Sequence, residues 1–321
     1  MTNVTVTAFP RLHLGLLDMG GITAAQYGGA GLCLSSPPTL VSAEPTERNV
    51  VRGLEEESRG DLVLRALDRL TEATGISATI VVGSCAPAHM GFGSTTSLVL
   101  ASLTGAVASV GVDVNEATLK RLSHRGGASG IGLNGFFTGG FLVDGGHRGN
   151  SPVFDPSEFR VPSETPAVRV RLVIPDTWAF HLILPEGTVW TPQSEREFFH
   201  RNTPIPAGEV HESVSLVYHS LVPSMERSDL AGVSRALARL HEIGFKRREV
   251  LGQTPSVRAA LDAIRAMKIG AVGMSSMGPL VYVITDKEAD PEDELRALCG
   301  RISASYIGSA IGVNRPREVR Q

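Results

Sequence analysis

Residues 4–9 (V-T-V-T-A-F) alternate apolar and polar positions with period two, which predicts a strand with one face toward a core. Short apolar runs at 40–43, 78–82, 140–143, 168–174, 178–184 and 280–285 predict further strands. Helical spacing takes over at 61–74, where Leu62, Leu64, Ala66, Leu67 and Leu70 share a face and Gly75 supplies a stop. The apolar segment 96–110 predicts a central helix, and Asp113 or Asn115 can cap another reaching about His124. Helical patterns at 195–200, 212–222, 229–243, 255–267 and 291–300 complete the set. Residues 125–147 are too rich in glycine for a helix interior and hold one strand-like run, 140–143. The order is mixed α and β. A Pro- and acid-containing connector at 152–166 divides it into an N-terminal part, 1–160, and a C-terminal part, 161–321.

Glycine clusters recur in four stretches that read as turns, Gly28–Gly31 and 270–279 among them, as expected where several turns converge on one anionic ligand. The most informative is C-A-P-A-H-M-G-F-G-S-T-T-S-L, Cys85 to Leu98, between a strand and the central helix. Gly91 and Gly93 let backbone approach a phosphate, and Ser94, Thr95 and Thr96 lie where a helix start leaves N–H groups unpaired. No Lys follows the second Gly, so this is not the nucleoside-triphosphate P-loop. It also lacks the third Gly of the dinucleotide fingerprint. Taken alone, it is equally well a plain strand-to-helix turn.

Composition narrows the class. With 42% hydrophobic and 20% charged residues in 321, the chain has material for a sizeable core. A net charge of −3 supplies no field for nucleic acid or an anionic membrane, so neither is an expected partner. Cys33, Cys85 and Cys299 lie far apart without metal-ligand spacing. An odd count without a signal-peptide pattern predicts a reducing, cytoplasmic setting. No run is long enough to span a bilayer. The histidines show no zinc spacing, and no nucleophilic triad is evident.

Four ordered motifs then carry a resemblance over nearly the whole chain. R-L-H-L-G-L-L-D (11–18), R-G-G-A-S-G-I-G (125–132), G-G-F-L-V-D-G-G-H (139–147) and S-S-M-G-P (275–279) resemble the β-ribofuranosylaminobenzene 5′-phosphate synthases. These form a branch of the galactokinase–homoserine kinase–mevalonate kinase–phosphomevalonate kinase (GHMP kinase) superfamily. The resemblance implies an α+β, GHMP-kinase-like two-domain fold. Its N-terminal domain would hold a left-handed βαβ unit, and its C-terminal domain would be an α/β sandwich. It also implies transfer of ribose 5-phosphate from phosphoribosyl pyrophosphate to the ring carbon of an amino-substituted aromatic carboxylate. Pyrophosphate and carbon dioxide leave, magnesium assists, and the enzyme is expected to be a homodimer. Kinases of the superfamily carry P-S-G-I-D in the third motif, with the Asp as base in several members. Here the matching position is Gly132, which counts against phosphotransfer.

The resemblance assigns expected roles. Arg11, His13, Asp18, His89 and Asp144 form the catalytic set, with Asp144 also the expected magnesium ligand. Gly91, Gly93, Ser94, Thr95, Thr96 and Arg125 bind phosphate or pyrophosphate, the arginines through bidentate forks. Ser129, Ser275, Ser276 and Met277 face the acceptor. Either histidine could bond phosphate or shuttle a proton. For the arginines the plain alternative is a surface ion pair, for His89 a turn residue, and for Asp144 a turn-forming Asp. Benzoate-using members carry G-S-G-T and G-Q-S-S-W-G-P, where this chain reads Gly93-Ser94-Thr95-Thr96 and Gly273-Met274-Ser275-Ser276-Met277-Gly278-Pro279. Met277 in place of Trp removes a flat aromatic face, which favours a heteroaryl acceptor such as an aminopyrazole dicarboxylate of C-nucleoside antibiotic synthesis. The rival activity is an ATP-dependent small-molecule kinase. A ligand-sensing protein without chemistry is the non-enzymatic alternative.

Overall fold

The computed structural model describes residues 3–149 and 151–321. The chain opens with strands β1 (Val4–Ala8), β2 (Arg11–Asp18), β3 (Ala25–Cys33), β4 (Thr39–Pro45) and β5 (Val50–Arg52). Helix α1 (Glu57–Thr74), strand β6 (Ala78–Ser84) and helices α2 (Ser94–Val110), α3 (Glu116–Ser123) and α4 (Ile131–Thr138) follow. Next come β7 (Phe141–Asp144), β8 (His147–Arg148), β9 (Val168–Leu172) and β10 (Trp178–Pro185). A helical stretch holds α5 (Pro192–Asn202), α6 (Ala207–Leu216), a π-helical turn (Val217–Leu221), α7 (Val222–Glu226), α8 (Leu230–Leu240), α9 (Gly244–Leu251) and α10 (Pro255–Met267). Strands β11 (Ala271–Met274) and β12 (Val281–Asp286), helix α11 (Glu292–Cys299) and strands β13 (Ala304–Ile311) and β14 (Glu318–Arg320) complete the chain.

Among the described residues three sheets result, with strand orders β14-β1-β4-β6-β5, β2-β3-β7-β9 (β8 also pairing β3) and β11-β12-β10-β13. The first carries α1 and α2 on its inner face. Val4, Val6, Val41 and Ile80 of the strands meet Leu67, Leu70, Leu98 and Leu103 of the helices in one core. Its one helix-linked parallel pair is β5–α1–β6. A second core lies between the other two sheets, where Leu12, Leu32 and Phe141 meet Trp178, Phe180 and Tyr282, with Leu237 and Leu240 of α8 alongside. The halves of the chain interleave: β9 pairs with β7, and β14 with β1.

Several strands and helices depart from the expectations above. A helix does form in the glycine-rich third motif. α4 buries Ile131, Leu133, Phe136 and Phe137, and this tertiary burial outweighs a glycine penalty of about 1 kcal/mol each. Gly135 is there for close approach. A Cβ on Gly135 would stand 2.6 Å from Cys33 Sγ. The cluster Gly28–Gly31 is likewise strand, not turn, within β3. A Cβ on Gly31 would meet Leu12 O at 2.5 Å, and one on Gly29 would meet His13 Nε2 at 2.7 Å. Part of 270–279, expected as a turn, is strand β11. Helix α9 has no counterpart in the apolar pattern, because its buried face includes Lys246 and Glu249.

Candidate active site

The phosphate-type loop stands between β6 and α2. Gly93, the residue before α2, takes the left-handed conformation (φ 70°) and carries no side-chain cap. The N–H groups of Ser94 and Thr95, first in the helix, therefore have no intrahelical acceptor, whereas Thr96 N–H already donates to Gly93 O at 3.1 Å. Gly91 (φ 103°) packs against Ser275, whose carbonyl oxygen would stand 2.9 Å from a Cβ there.

Ser275 ties three motifs together rather than facing a ligand. It is fully buried, accepts from His13 N–H at 3.0 Å and donates to Gly91 O at 2.7 Å. Arg11 N–H donates to Phe92 O at 3.0 Å, and Ser276 N–H donates to His13 O at 2.9 Å. β2 is thereby clamped between the loop and the turn after β11.

The cavity this builds is lined by Arg11 and His13 of β2, the loop residues Gly91, Gly93, Ser94, Thr95 and Thr96, and Arg125, Ser129 and Gly132. His89, Ser276 and Met277 also line it. Arg11 Nη1 donates to Gly91 O at 2.6 Å, and Arg125 Nε donates to Thr96 Oγ1 at 3.2 Å. Each fork has five donors, so both keep N–H groups for an anion. Burial lowers the Arg11 guanidinium to about 10, with Arg125 pushing the same way, and burial also lowers Arg125. Both remain charged at neutral pH. Burial, then Arg11 and Lys246, hold His13 well below the usual imidazole range, so it is neutral. Neither of its ring nitrogens has a partner among the described residues.

Three expected side chains point elsewhere. Asp18 lies at the far end of β2, where its carboxylate accepts from the N–H groups of Gly20, Ile22 and Thr23 at 3.0, 3.0 and 2.7 Å. It shapes a turn and does not line the cavity. Asp144 is also outside the lining. Its oxygens accept from Ser129 Oγ at 2.9 Å, Gly130 N at 3.0 Å and Gly146 N at 2.9 Å. Burial pushes its carboxyl up to about 6 against those bonds. The acid is thus engaged by the turn and by Ser129. Ser94 lines the cavity, but its hydroxyl donates back to Pro87 O at 3.0 Å, leaving its N–H as the useful group.

Five lining or adjoining residues were not evident from sequence: Glu158, Trp190, Glu195, Lys246 and Glu249. His89, itself left-handed (φ 58°), stands between two of them, 3.8 Å from Glu158 Oε1 and 3.9 Å from Glu195 Oε2. Burial, then Glu158 and Glu249, push the Glu195 carboxyl up to about 7. On α9, Lys246 Nζ lies 2.8 Å from Glu249 Oε2 and donates to Ser276 O at 2.9 Å, both side chains being buried. A flat wall is present despite Met277. Trp190 supplies it, its Nε1–H donating to Met277 O at 3.2 Å, with Phe199 and Leu16 beside it. The sequence signal for that wall was Trp190 itself, one of two tryptophans, placed just before a helix.

Among the described residues no group of three or more His, Cys, Asp or Glu is arranged to hold a metal ion. No helix is long and apolar enough to cross a membrane among those residues.

Comparison with known proteins bears on this cavity. Residues 61–140 match the model for the GHMP kinases N terminal domain and 221–303 that for GHMP kinases C terminal. A β-ribofuranosylphenol 5′-phosphate synthase of Archaeoglobus fulgidus is 32% identical over 280 residues, 87% of each chain. The chain belongs to the β-ribofuranosylphenol 5′-phosphate synthase family. A second member, from Methanocaldococcus jannaschii, is 30% identical over 295 residues, 87% of this chain and 88% of that one. The fold is shared more widely. A homoserine kinase of Cytophaga hutchinsonii superposes with a TM-score of 0.68 at 14% identity, covering 98% and 97% of the two chains. Phosphomevalonate kinase of Streptococcus pneumoniae gives 0.69 at 11%, covering 96% and 99%. The α+β, GHMP-kinase-like fold expected from the motifs is the observed one.

Within this member of the synthase family, the Lys246–Glu249 pair makes a stability prediction. Lys246→Met is expected to cost about 3–5 kcal/mol, because Glu249 is left buried without its counter-charge. Lys246→Met combined with Glu249→Leu should recover most of that loss. Urea denaturation followed by circular dichroism checks both.

Proposed function

We propose that this chain is a decarboxylating C-ribosyltransferase, joining phosphoribosyl pyrophosphate to the ring carbon of an amino-substituted aryl or heteroaryl carboxylate. The single observation that carries the reading is Gly132. It stands on the cavity wall beside Thr96 and Arg11, where kinases of the superfamily carry an acid. Relatives named for a ribosyl 5′-phosphate joined to a phenol support the same class of product.

The pyrophosphate is taken by the free N–H groups of Ser94 and Thr95 with Arg11 and Arg125. Each preorganised donor contributes about 3 kcal/mol where charge develops on the leaving group. The anomeric C–O bond breaks with its electron pair leaving on pyrophosphate, and the ring carbon bearing the carboxylate attacks. The pair of the breaking carbon–carboxylate bond returns to the ring as carbon dioxide leaves. Atoms balance without loss of a proton, so neither His13 nor His89 has to act as a base, in keeping with a neutral His13. Magnesium enters this scheme as the counter-ion of the pyrophosphate substrate, since such ions keep few protein ligands beside substrate phosphates.

The acceptor we propose is an aminopyrazole dicarboxylate in preference to 4-aminobenzoate. Met277, an adaptable side chain on the cavity wall, and the cationic forks of Arg11 and Arg125 lining the same cavity support a small, doubly anionic ring. The test is mass spectrometry of a reaction with magnesium, phosphoribosyl pyrophosphate and a panel of 4-aminobenzoate, 4-hydroxybenzoate and 4-aminopyrazole-3,5-dicarboxylate. The expected product is the pyrazole riboside phosphate, lighter than the simple adduct by carbon dioxide and accompanied by pyrophosphate. ADP formed from ATP and a hydroxylated metabolite in a parallel reaction would replace this reading with a kinase.

A further inference from the structure

Helix α5 brings an acid and an aromatic wall to the cavity on one short segment. Thr191 and Ser194 form a reciprocal capping box that fixes the helix start. Glu195 and Phe199 are four residues apart and so share a face, and both line the cavity. Trp190, just ahead of the cap, lines it too and is held by its bond to Met277 O.

Among the described residues Glu195 has no side-chain hydrogen-bond partner. Its side chain is 19% exposed, all the less accessible for lying in a cavity, and the nearest basic group, His89 Nδ1, is 3.9 Å away, beyond hydrogen-bond reach. Arg11 and Arg125 line the same cavity and act on Glu195 through space, but among the described residues neither guanidinium forms an ion pair with it. A second unsatisfied group, the buried His13 with both ring nitrogens unpartnered among the described residues, lines the same cavity. A carboxyl group kept free beside an apolar wall is suited to a flat ring that presents N–H donors at its edge, with its charge fully present only above its raised value of about 7.

We propose that Glu195 selects the amino-bearing acceptor, taking a hydrogen bond from the exocyclic N–H while Trp190, Phe199, Leu16 and Met277 hold the ring. This rests on the ribosyltransferase reading above. As the ring carbon attacks, the amino lone pair moves toward the ring and the nitrogen gains positive character. An acid at its N–H is then favoured more in the transition state than in the ground state. A hydroxyl in the same place donates one hydrogen and loses less when the acid is removed.

The experiment compares the intact protein with Glu195→Gln, which keeps an acceptor oxygen but no charge, and Glu195→Leu, which keeps neither. Two ring pairs are used: 4-aminobenzoate with 4-hydroxybenzoate, and 4-aminopyrazole-3,5-dicarboxylate with its 4-hydroxy counterpart. For the amino rings kcat/KM is expected to fall about tenfold in Glu195→Gln and about a hundredfold in Glu195→Leu. For the hydroxy rings the fall should stay below about threefold, and calorimetric affinity for phosphoribosyl pyrophosphate should change less than about twofold. An unchanged amino-to-hydroxy ratio, or a parallel loss of phosphoribosyl pyrophosphate binding, overturns the proposal. Should the wild type form no riboside from either ring, the reaction reading fails on that arm alone. Calorimetric binding of the four rings in the presence of pyrophosphate then decides the role of Glu195. Amino preference that vanishes in Glu195→Leu supports it, and equal binding overturns it.

Discussion

Gly93→Ala is expected to lower kcat/KM for ribosyl transfer at least about a hundredfold while the protein stays folded. A Cβ at this position would stand 2.9 Å from Arg11 Nε and 3.0 Å from its Cγ and Cζ. The guanidinium must therefore move away from the start of α2, and the donors that meet the pyrophosphate no longer converge. Backbone strain accompanies the clash, because φ of 70° is left-handed and costs a non-glycine residue about 1–2 kcal/mol. Gly111 separates the two effects. It ends the same helix with φ 69° and ψ 23°, against 70° and 22° at Gly93, and a Cβ there meets nothing within 4 Å. Gly111→Ala should thus show the same small loss of melting temperature, about 5 °C or less, with activity unchanged. Equal loss of activity in both variants would mean that helix strain, and not the placement of Arg11, is what matters at Gly93. Steady-state kinetics and thermal melts of the pair give the answer.

What could be read from the chain divides along physical lines. Strand β1 and helices α1, α2 and α10 announce themselves because one-sided or continuous burial imposes a period on apolar residues. Gly75, left-handed at φ 76° with its N–H on Thr71 O, ends α1 where the stop signal stands. Asn115 caps α3 by accepting from Thr118 N–H. Glycine was the harder residue. Local propensity places Gly28–Gly31 and Gly135 in turns, yet Gly29, Gly31 and Gly135 serve close approach between β2, β3 and α4, which only the tertiary packing defines.

The site divides in the same way. Arg11, Arg125 and the loop around Gly93 are contiguous with turns whose chemistry is local, so they stand out in sequence. Glu158, Glu195, Lys246 and Glu249 come from a connector and two helices of the later half and look like ordinary surface charges. F-K-R-R-E-V reads as a solvated helix face, and nothing in it shows that Lys246 and Glu249 are buried against β2 and the turn at Ser276. Asp18 and Asp144 err in the opposite direction. Both are acids inside strong motifs, and both are consumed by backbone N–H groups of neighbouring turns. A motif marks where residues are constrained, and turn geometry constrains an Asp as firmly as a ligand does.

Restoring the kinase-like acid, Gly132→Asp, is expected to abolish ribosyl transfer without creating a phosphotransferase. Position 132 lies in the first turn of α4 on the cavity wall, and a Cβ there would sit 3.6 Å from Thr96 Cγ2 and 3.7 Å from Arg11 Cγ. These are ordinary contacts, so the side chain enters without displacing backbone. The carboxylate then stands within reach of the Arg11 guanidinium, in a site where burial already holds that group down. A charge about 5 Å from a phosphate oxygen at an effective dielectric constant near 20 costs about 3 kcal/mol. Affinity for phosphoribosyl pyrophosphate should accordingly fall by about a hundredfold or more, measured by calorimetry, while the melting temperature stays near that of the parent. Gly132→Asn, of the same shape without the charge, should lose far less. ADP production by Gly132→Asp with a hydroxylated metabolite would show instead that this cavity is a phosphotransfer site lacking only its base. Loss of pyrophosphate-donor binding in the Asp variant alone, with no ADP, leaves the anion cradle as the organising feature and Gly132 as the residue that keeps it free for a leaving group.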